Sequence, residues 1–145
     1  MEKINVKLLR EGAHIPTYGS SEAAGADQYA CLEAPAVIGP GESVWIGTGI
    51  ALEVPKGCAG LVFARSSMGA KRDLAPANKV GVIDSDYRGE VRVVLHNHGS
   101  KVQQVEPGER IAQLLITPVY TPGFHQVEEL TDTDRGVGGF GSTGK

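Results

Sequence analysis

RIAQLLITPVY, residues 110 to 120, is the stretch on which the fold turns. It is rich in branched apolar side chains, and no window of the chain sustains helical periodicity for more than about a turn or two. Such a run reads as a strand. Four others share its character: INVKLLR (4–10), SVWIGTGIALEV (43–54), GLVFAR (60–65) and EVRVVLHN (90–97). Between such runs, VIGPGES, EVPKGC and VEPGER place proline and glycine where the chain has to turn. The rhythm predicts an all-β domain. RSSMGAKR (65–72) is the one helix candidate, a single turn in which Ser66 or Ser67 is placed to cap and to aim backbone N–H groups at an anion.

With 145 residues, 41% of them hydrophobic, the chain suits one core and is long enough to bury roughly 70% of its unfolded surface. A formal charge of -3 argues against a surface built to coat nucleic acid, so a polyanionic ligand has to be gripped locally. No apolar run is of membrane length, MEKINVKLLREGAH lacks a signal-peptide core, and the cysteines are two, Cys31 and Cys58. The expectation is a cytoplasmic protein with reduced thiols and no membrane or nucleic-acid partner. After Leu130 an acidic TDTD run leads into RGVGGFGSTG (135–144), half of it glycine. This divides the chain into a β-rich body, 1–130, and a flexible arm, 131–145. On composition alone the arm reads equally as a disordered tail.

Five stretches hold more polar residues than a β-sandwich surface needs: AGADQYA (24–30), ARSSMGAKR (64–72), NKVGVIDSDYRGE (78–90), ERIAQLL (109–115) and the arm. Their residue types suit one phosphate-ester site. Arg65 and Arg135 can fork onto phosphate oxygens, while Ser66, Ser67, Ser142, Thr143 and glycine-flanked amides add neutral donors. Asp27, Asp84 and Asp86 are the available acids, and a carboxylate that orients water, with Mg²⁺ on the phosphates, is the usual apparatus for displacement at phosphorus. Taken singly, each stretch also has a plain structural reading, ERIAQLL as a strand and GVIDSDYRGE as a turn with Asp84 as its cap.

Taken in order, the five stretches resemble the five motifs of the trimeric dUTPases (deoxyuridine triphosphate nucleotidohydrolases), over residues 24 to 144. GVIDSDYRGE and RGVGGFGSTG are the most specific. The resemblance implies a jelly-roll-like homotrimer that hydrolyses dUTP to dUMP and pyrophosphate with Mg²⁺, each active site being assembled from three chains. It further implies that Asp84 activates the attacking water, that Tyr87 lies beneath deoxyribose, and that Asp27 reaches the metal through water. Arg65, Ser66, Ser67 and Gln113 correspond to phosphate contacts. Asn78, Val82 and Ile83 correspond to the hairpin that pairs with uracil, and Arg92 to a basic residue near the substrate. In the arm, Phe140 corresponds to a ring stacked on uracil and Arg135, Gly141, Ser142 and Thr143 to a wrap around the phosphates of another subunit's pocket. Glycine suits an arm that closes on ligand and opens for release.

One departure stands out: Gln28 occupies a position where the family commonly has a buried leucine, which puts the packing around Asp27 in question. Two alternatives remain. A dCTP deaminase shares the fold and an Arg-Ser-Ser stretch, but its catalytic glutamate aligns with Val94 here and it lacks the Asp86–Tyr87 pair. A nucleotide-sensing relative without turnover is the other. A zinc or nuclease reading of His96 and His98 has no acidic or cysteine partner near them in sequence, and Trp45 and Cys58 read as core or rim.

Overall fold

The structure, a computed structural model, describes residues 3–142 and 144. Twelve strands and one short helix follow one another as β1 (Val6–Leu8), β2 (Thr17–Tyr18), β3 (Ala26–Tyr29), β4 (Ala36–Ile38), β5 (Ser43–Gly47), β6 (Ile50–Leu52), β7 (Cys58–Phe63), α1 (Ser66–Lys71), β8 (Leu74–Pro76), β9 (Gly81–Ile83), β10 (Arg92–Asn97), β11 (Gln103–Val105) and β12 (Arg110–Pro118). The opening stretch is therefore the longest strand. Three antiparallel pairings are nested: β3 with β12, β4 with β11 and β5 with β10. A long hairpin rolled on itself in this way is a jelly roll, as the strand-rich sequence and the family resemblance predict. The largest sheet runs β2-β3-β12-β7-β9 and leaves β9 at an edge.

Alternation explains the core. Along β10, Val93, Leu95 and Asn97 point inward while Arg92 faces solvent, the period of two that a half-buried strand requires. Ile38, Ile46, Leu95, Val105 and Ile111 are fully buried in one cluster. Turn chemistry is equally local. Gly108 follows Pro107 between β11 and β12 with φ of 76°, a conformation that a side chain would strain. Asn97 is one of four buried polar residues among those described, and its amide is spent on the Ile38 and Lys101 carbonyls at 2.9 and 2.8 Å.

One expectation changes. Neither Ser66 nor Ser67 caps α1: Arg65 is the N-cap residue and makes no side-chain cap bond. AGADQYA supplies a strand, β3. Trp45 lies on the outer face of β5, 67% exposed, with the Arg92 guanidinium 5.7 Å from its ring. The guanidinium thus lies over the indole face without burying the ring.

Gln28 is fully buried on β3, opposite Ala112, and neither Oε1 nor Nε2 has a hydrogen-bond partner among the described residues. An unmet buried amide costs about 1–3 kcal/mol, so Gln28→Leu is expected to raise stability by that order. For a chain of this size the thermal midpoint would climb by about 3 °C per kcal/mol. A differential scanning melt checks it, and a midpoint that falls would mean the amide is satisfied by an internal water.

Beyond β12 the described residues form no strand or helix, and from Pro118 to Thr133 every residue is exposed. Val119 still donates its amide to the Gly57 carbonyl at 2.9 Å, but Tyr120, Phe124 and Leu130 are 90%, 99% and 86% exposed, so their side chains are largely free of the body. No helix among the described residues is long and apolar enough to cross a membrane.

Candidate active site

Sheet register assembles the first half of the site. Asp27 on β3 lies directly opposite Gln113 on β12, which lies opposite Phe63 on β7. Cross-strand partners share a face, and Arg65, two residues beyond Phe63, continues it. Arg110 would fall on the other face but for a bulge in β12 between Arg110 and Ala112, which brings Arg110 opposite Tyr29 and onto the side of Asp27.

Asp27 is nearly buried and accepts from both arginines, Arg65 Nε at 2.7 Å on Oδ1 and Arg110 Nη1 at 3.2 Å on Oδ2. Arg65 Nη1 also donates to Ser67 Oγ at 3.1 Å. One carboxylate thus holds two guanidiniums, leaving a net positive charge and several N–H donors for an anion. A cavity of about 240 Å³ opens here, lined by Gly25, Asp27, Arg65, Ser66, Arg110 and Gln113. Gln113 spends one amide N–H on the Ala64 carbonyl at 2.9 Å, which fixes the backbone just before the Arg65–Ser67 turn. Its second N–H remains for a ligand. The helix α1 that follows is tied down from behind, since Arg72 donates to Glu109, Gln103 and the Gln104 carbonyl.

The second half lies on the β8–β9–β10 side. A cavity of about 380 Å³ is lined by Asn78, Val82, Ile83, Asp84, Tyr87 and Arg92, with Trp45 at its rim. β9 pairs with β7 along one side only, so its other edge offers unpaired backbone groups to a flat hydrogen-bonding ligand. Val82 is exposed while Ile83 packs into the core and holds the strand down. Asp84 follows β9 at the exposed lip, and its carbonyl accepts the Tyr87 amide at 3.2 Å to close a turn.

The arm forms a third, separate group. Its hydrogen bonds lie within the segment, Arg135 Nε on the Gly138 carbonyl at 2.7 Å and the Ser142 amide on the Gly139 carbonyl at 3.0 Å. Phe140 is fully exposed. Thr143 lies outside the described residues.

The sequence-predicted residues therefore divide: Asp27, Arg65, Ser66 and Gln113 share one cavity, with Ser67 on Arg65, while Asn78, Val82, Ile83, Asp84, Tyr87 and Arg92 share another. The two cavities have no lining residue in common. Arg110 and Trp45 received no role from the sequence. Arg110 sits inside the ERIAQLL stretch, but only the bulge shows where it points. Trp45 had no signal beyond its place on an alternating strand.

For a metal, the donors near the anion cavity are few. Both Asp27 oxygens are taken by guanidiniums, and among the described residues no group of three or more His, Cys, Asp or Glu is placed to hold an ion. The residues suit Mg²⁺ only as an ion carried by ligand oxygens and water, with Asp27 outside its coordination sphere. His96 and His98 stack edge to face at 4.5 Å, and Ser43 Oγ lies 2.8 Å from His96 Nδ1, an ordinary strand-surface pairing. Burial, Lys79 and His96 all lower the pKa of His98.

A jelly roll that carries a guanidinium-and-serine cradle on one face, and an aspartate and a tyrosine beside a free strand edge on another, defines the nucleotide-handling class of all-β proteins. Residues 11–144 match the model of the dUTPase family, and the chain belongs to that family. A protein of Azoarcus sp. (strain BH72) named deoxyuridine 5'-triphosphate nucleotidohydrolase is 46% identical over 148 residues, 100% of this chain and 99% of its own. One of the same name from Syntrophotalea carbinolica is 46% identical over 141 residues, 97% and 96% of the two chains. Among solved structures, a dUTPase variant of Staphylococcus bacteriophage 80alpha with dUpNHpp superposes with a TM-score of 0.91 at 29% identity, covering 100% of both chains. A dUTPase variant from phage phi11 of S. aureus, reported with a structural Mg(II) ion, gives 0.81 at 27% identity over 90% of this chain and 100% of its own.

Proposed function

We propose that this chain hydrolyses dUTP to dUMP and pyrophosphate as a homotrimer. The observation that carries the reading is the division of the site. A triphosphate cradle without a water-activating carboxylate lies on one face of the chain, and a carboxylate with a nucleoside-sized cavity lies on another. Two copies that meet there complete what either lacks, and the exposed arm of a third supplies the cover. Residues 131–145 act as that arm in this reading, and residues 1–130 as the body.

In the assembled site, Asn78 and the free edge of β9 pair with the uracil edge. A β-strand offers donors and acceptors in fixed alternation, which suits an imide and leaves the amino group of cytosine mispaired; buried mispairing discriminates more strongly than a lost contact. Val82 and Ile83 wall the cavity against the methyl of thymine. Tyr87 packs beneath deoxyribose and blocks a 2′-hydroxyl. Arg65, Ser66, Ser67 and Gln113 hold the phosphate chain, joined by Arg110, and Arg92 is a basic residue near the substrate.

Asp84 holds a water, takes its proton, and directs it in line at the α-phosphorus; the bond that breaks is the one to the pyrophosphate oxygen. Mg²⁺, when bound, would neutralise charge on the phosphate oxygens, and Asp27 would hold it through water. Asp27 therefore works chiefly as the anion that keeps two guanidiniums together and aimed. Phe140 stacks on uracil, while Arg135, Gly141, Ser142 and Thr143 wrap the phosphates. The free thiols of Cys31 and Cys58 accord with a cytoplasmic enzyme. Its work is to keep uracil out of DNA and to supply dUMP for thymidylate synthesis.

The test is pyrophosphate release from dUTP, UTP, dTTP and dCTP with Mg²⁺. Release from dUTP alone is the expected result. Binding of dUTP without turnover would replace the enzyme by a nucleotide sensor, and ammonia release from dCTP would make it a deaminase.

A further inference from the structure

The loop from Asp84 to Gly89 is fastened almost wholly to itself. Its bonds are Tyr87 N to the Asp84 carbonyl at 3.2 Å and Arg88 Nη1 to the Ser85 and Tyr87 carbonyls at 2.9 and 3.0 Å. An exposed ion pair of Arg88 with Glu53, 3.8 Å long, adds little. Residue 91, by contrast, is zipped to the body: the Val91 amide donates to the Ile50 carbonyl at 2.8 Å, and the Val91 carbonyl accepts Thr48 Oγ1 at 2.6 Å.

Between the loose loop and the fixed strand stands Glu90. Its backbone carbonyl accepts the Tyr87 hydroxyl at 2.9 Å. The ring is laid back over Gly89, where a Cβ would come within 2.4 Å of the phenol oxygen, so only glycine leaves the phenol this seat. The Glu90 carboxylate reaches the other way. Oε1 accepts the Gly49 amide at 2.8 Å and Arg10 Nη1 at 2.6 Å, and Arg10 Nη2 continues to the Cys31 carbonyl at 3.2 Å. Hydrogen bonding to Glu90 raises the pKa of Arg10 above its ordinary value, so the guanidinium stays charged.

We propose that Glu90 and Arg10 are a positioning pair that fixes the height of the Tyr87 ring and thereby sets discrimination between deoxyribose and ribose. This deepens the dUTP reading and rests on the placement of Tyr87 beneath the sugar. A ring excludes a 2′-hydroxyl only if it cannot retreat. Here the resistance to retreat runs from the phenol hydroxyl through the Glu90 backbone and carboxylate to Arg10 and the Gly49 amide; Glu90 belongs to the cavity wall, whereas Arg10 and Gly49 do not line the cavity. Neither residue touches the reacting atoms, so the effect appears in selectivity rather than in chemistry.

The experiment compares kcat/KM for dUTP and for UTP in the full-length protein, as wild type and as Arg10→Met, Glu90→Ala and Glu90→Gln, with a thermal melt of each. Arg10→Met and Glu90→Ala are expected to lower the dUTP-to-UTP ratio by about tenfold, the equivalent of ~1.4 kcal/mol of lost discrimination, mostly through a lower KM for UTP. Glu90→Gln keeps an acceptor for the Gly49 amide and is expected to restore most of the ratio. Equal losses on both nucleotides, or an unchanged ratio, would overturn the proposal and leave the pair a purely structural tie. Should Glu90→Ala fail to fold, Arg10→Met decides alone, because it spares the Gly49 bond and its site is half-exposed. A wild type that does not favour dUTP over UTP would defeat the dUTP reading itself; a selective wild type with selective variants would defeat only this inference.

Discussion

Asp84→Asn is expected to lower kcat for dUTP by about 10³-fold, within the range that a positioned general base contributes. Asparagine has the same shape as aspartate and sits at the same exposed lip after β9, so folding and nucleotide binding should be preserved. What it lacks is a basic oxygen. The amide can still hold a water, but it cannot take the proton released as the oxygen bonds to phosphorus. Single-turnover pyrophosphate release, together with dUTP binding by calorimetry, separates the two effects. A variant that turns over within about tenfold of wild type would move the base elsewhere, because lost proton transfer in this role costs ~10²-fold or more.

Ending the chain at Asp134 is the second large change. It removes Arg135, Phe140 and the glycine turns, and the arm's hydrogen bonds lie within itself, so the body should melt unchanged. Losing a base–aromatic stack forfeits about 1–3 kcal/mol, and losing a charged hydrogen bond to phosphate about 1.5–3 kcal/mol. Part of that gain is already spent on ordering a glycine-rich strip, so kcat/KM should fall by about 10²-fold or more. Mixing the truncated chain with full-length Asp84→Asn chains offers a sharper check. If arm and carboxylate act at one site from different copies, some mixed trimers regain activity that neither parent has. Absence of any recovery would place arm and base on the same copy.

How far the residues alone reach is clearest at particular positions. Val93 and Leu95 announce an inward face through a period of two, and Pro107–Gly108 announces a turn; both are local effects, carried by side-chain sterics within a few residues. The short strands β2, β4, β8 and β11 gave no such signal, because a two- or three-residue strand is held by its partner rather than by its own pattern. Asp27 was legible as an acid but not as the counter-ion of Arg65 and Arg110.

The ordered motifs, the all-β rhythm and the glycine arm are properties of the chain itself. Tertiary structure alone decided that one bulge turns Arg110 toward an aspartate 83 residues away, that the Gln28 amide meets no partner among the described residues, and that Trp45 faces outward. It also divided the candidate site between two faces. The reason is common to all four. Each depends on the register between strands distant in sequence, and a shift of one residue in that register reverses which face every side chain occupies.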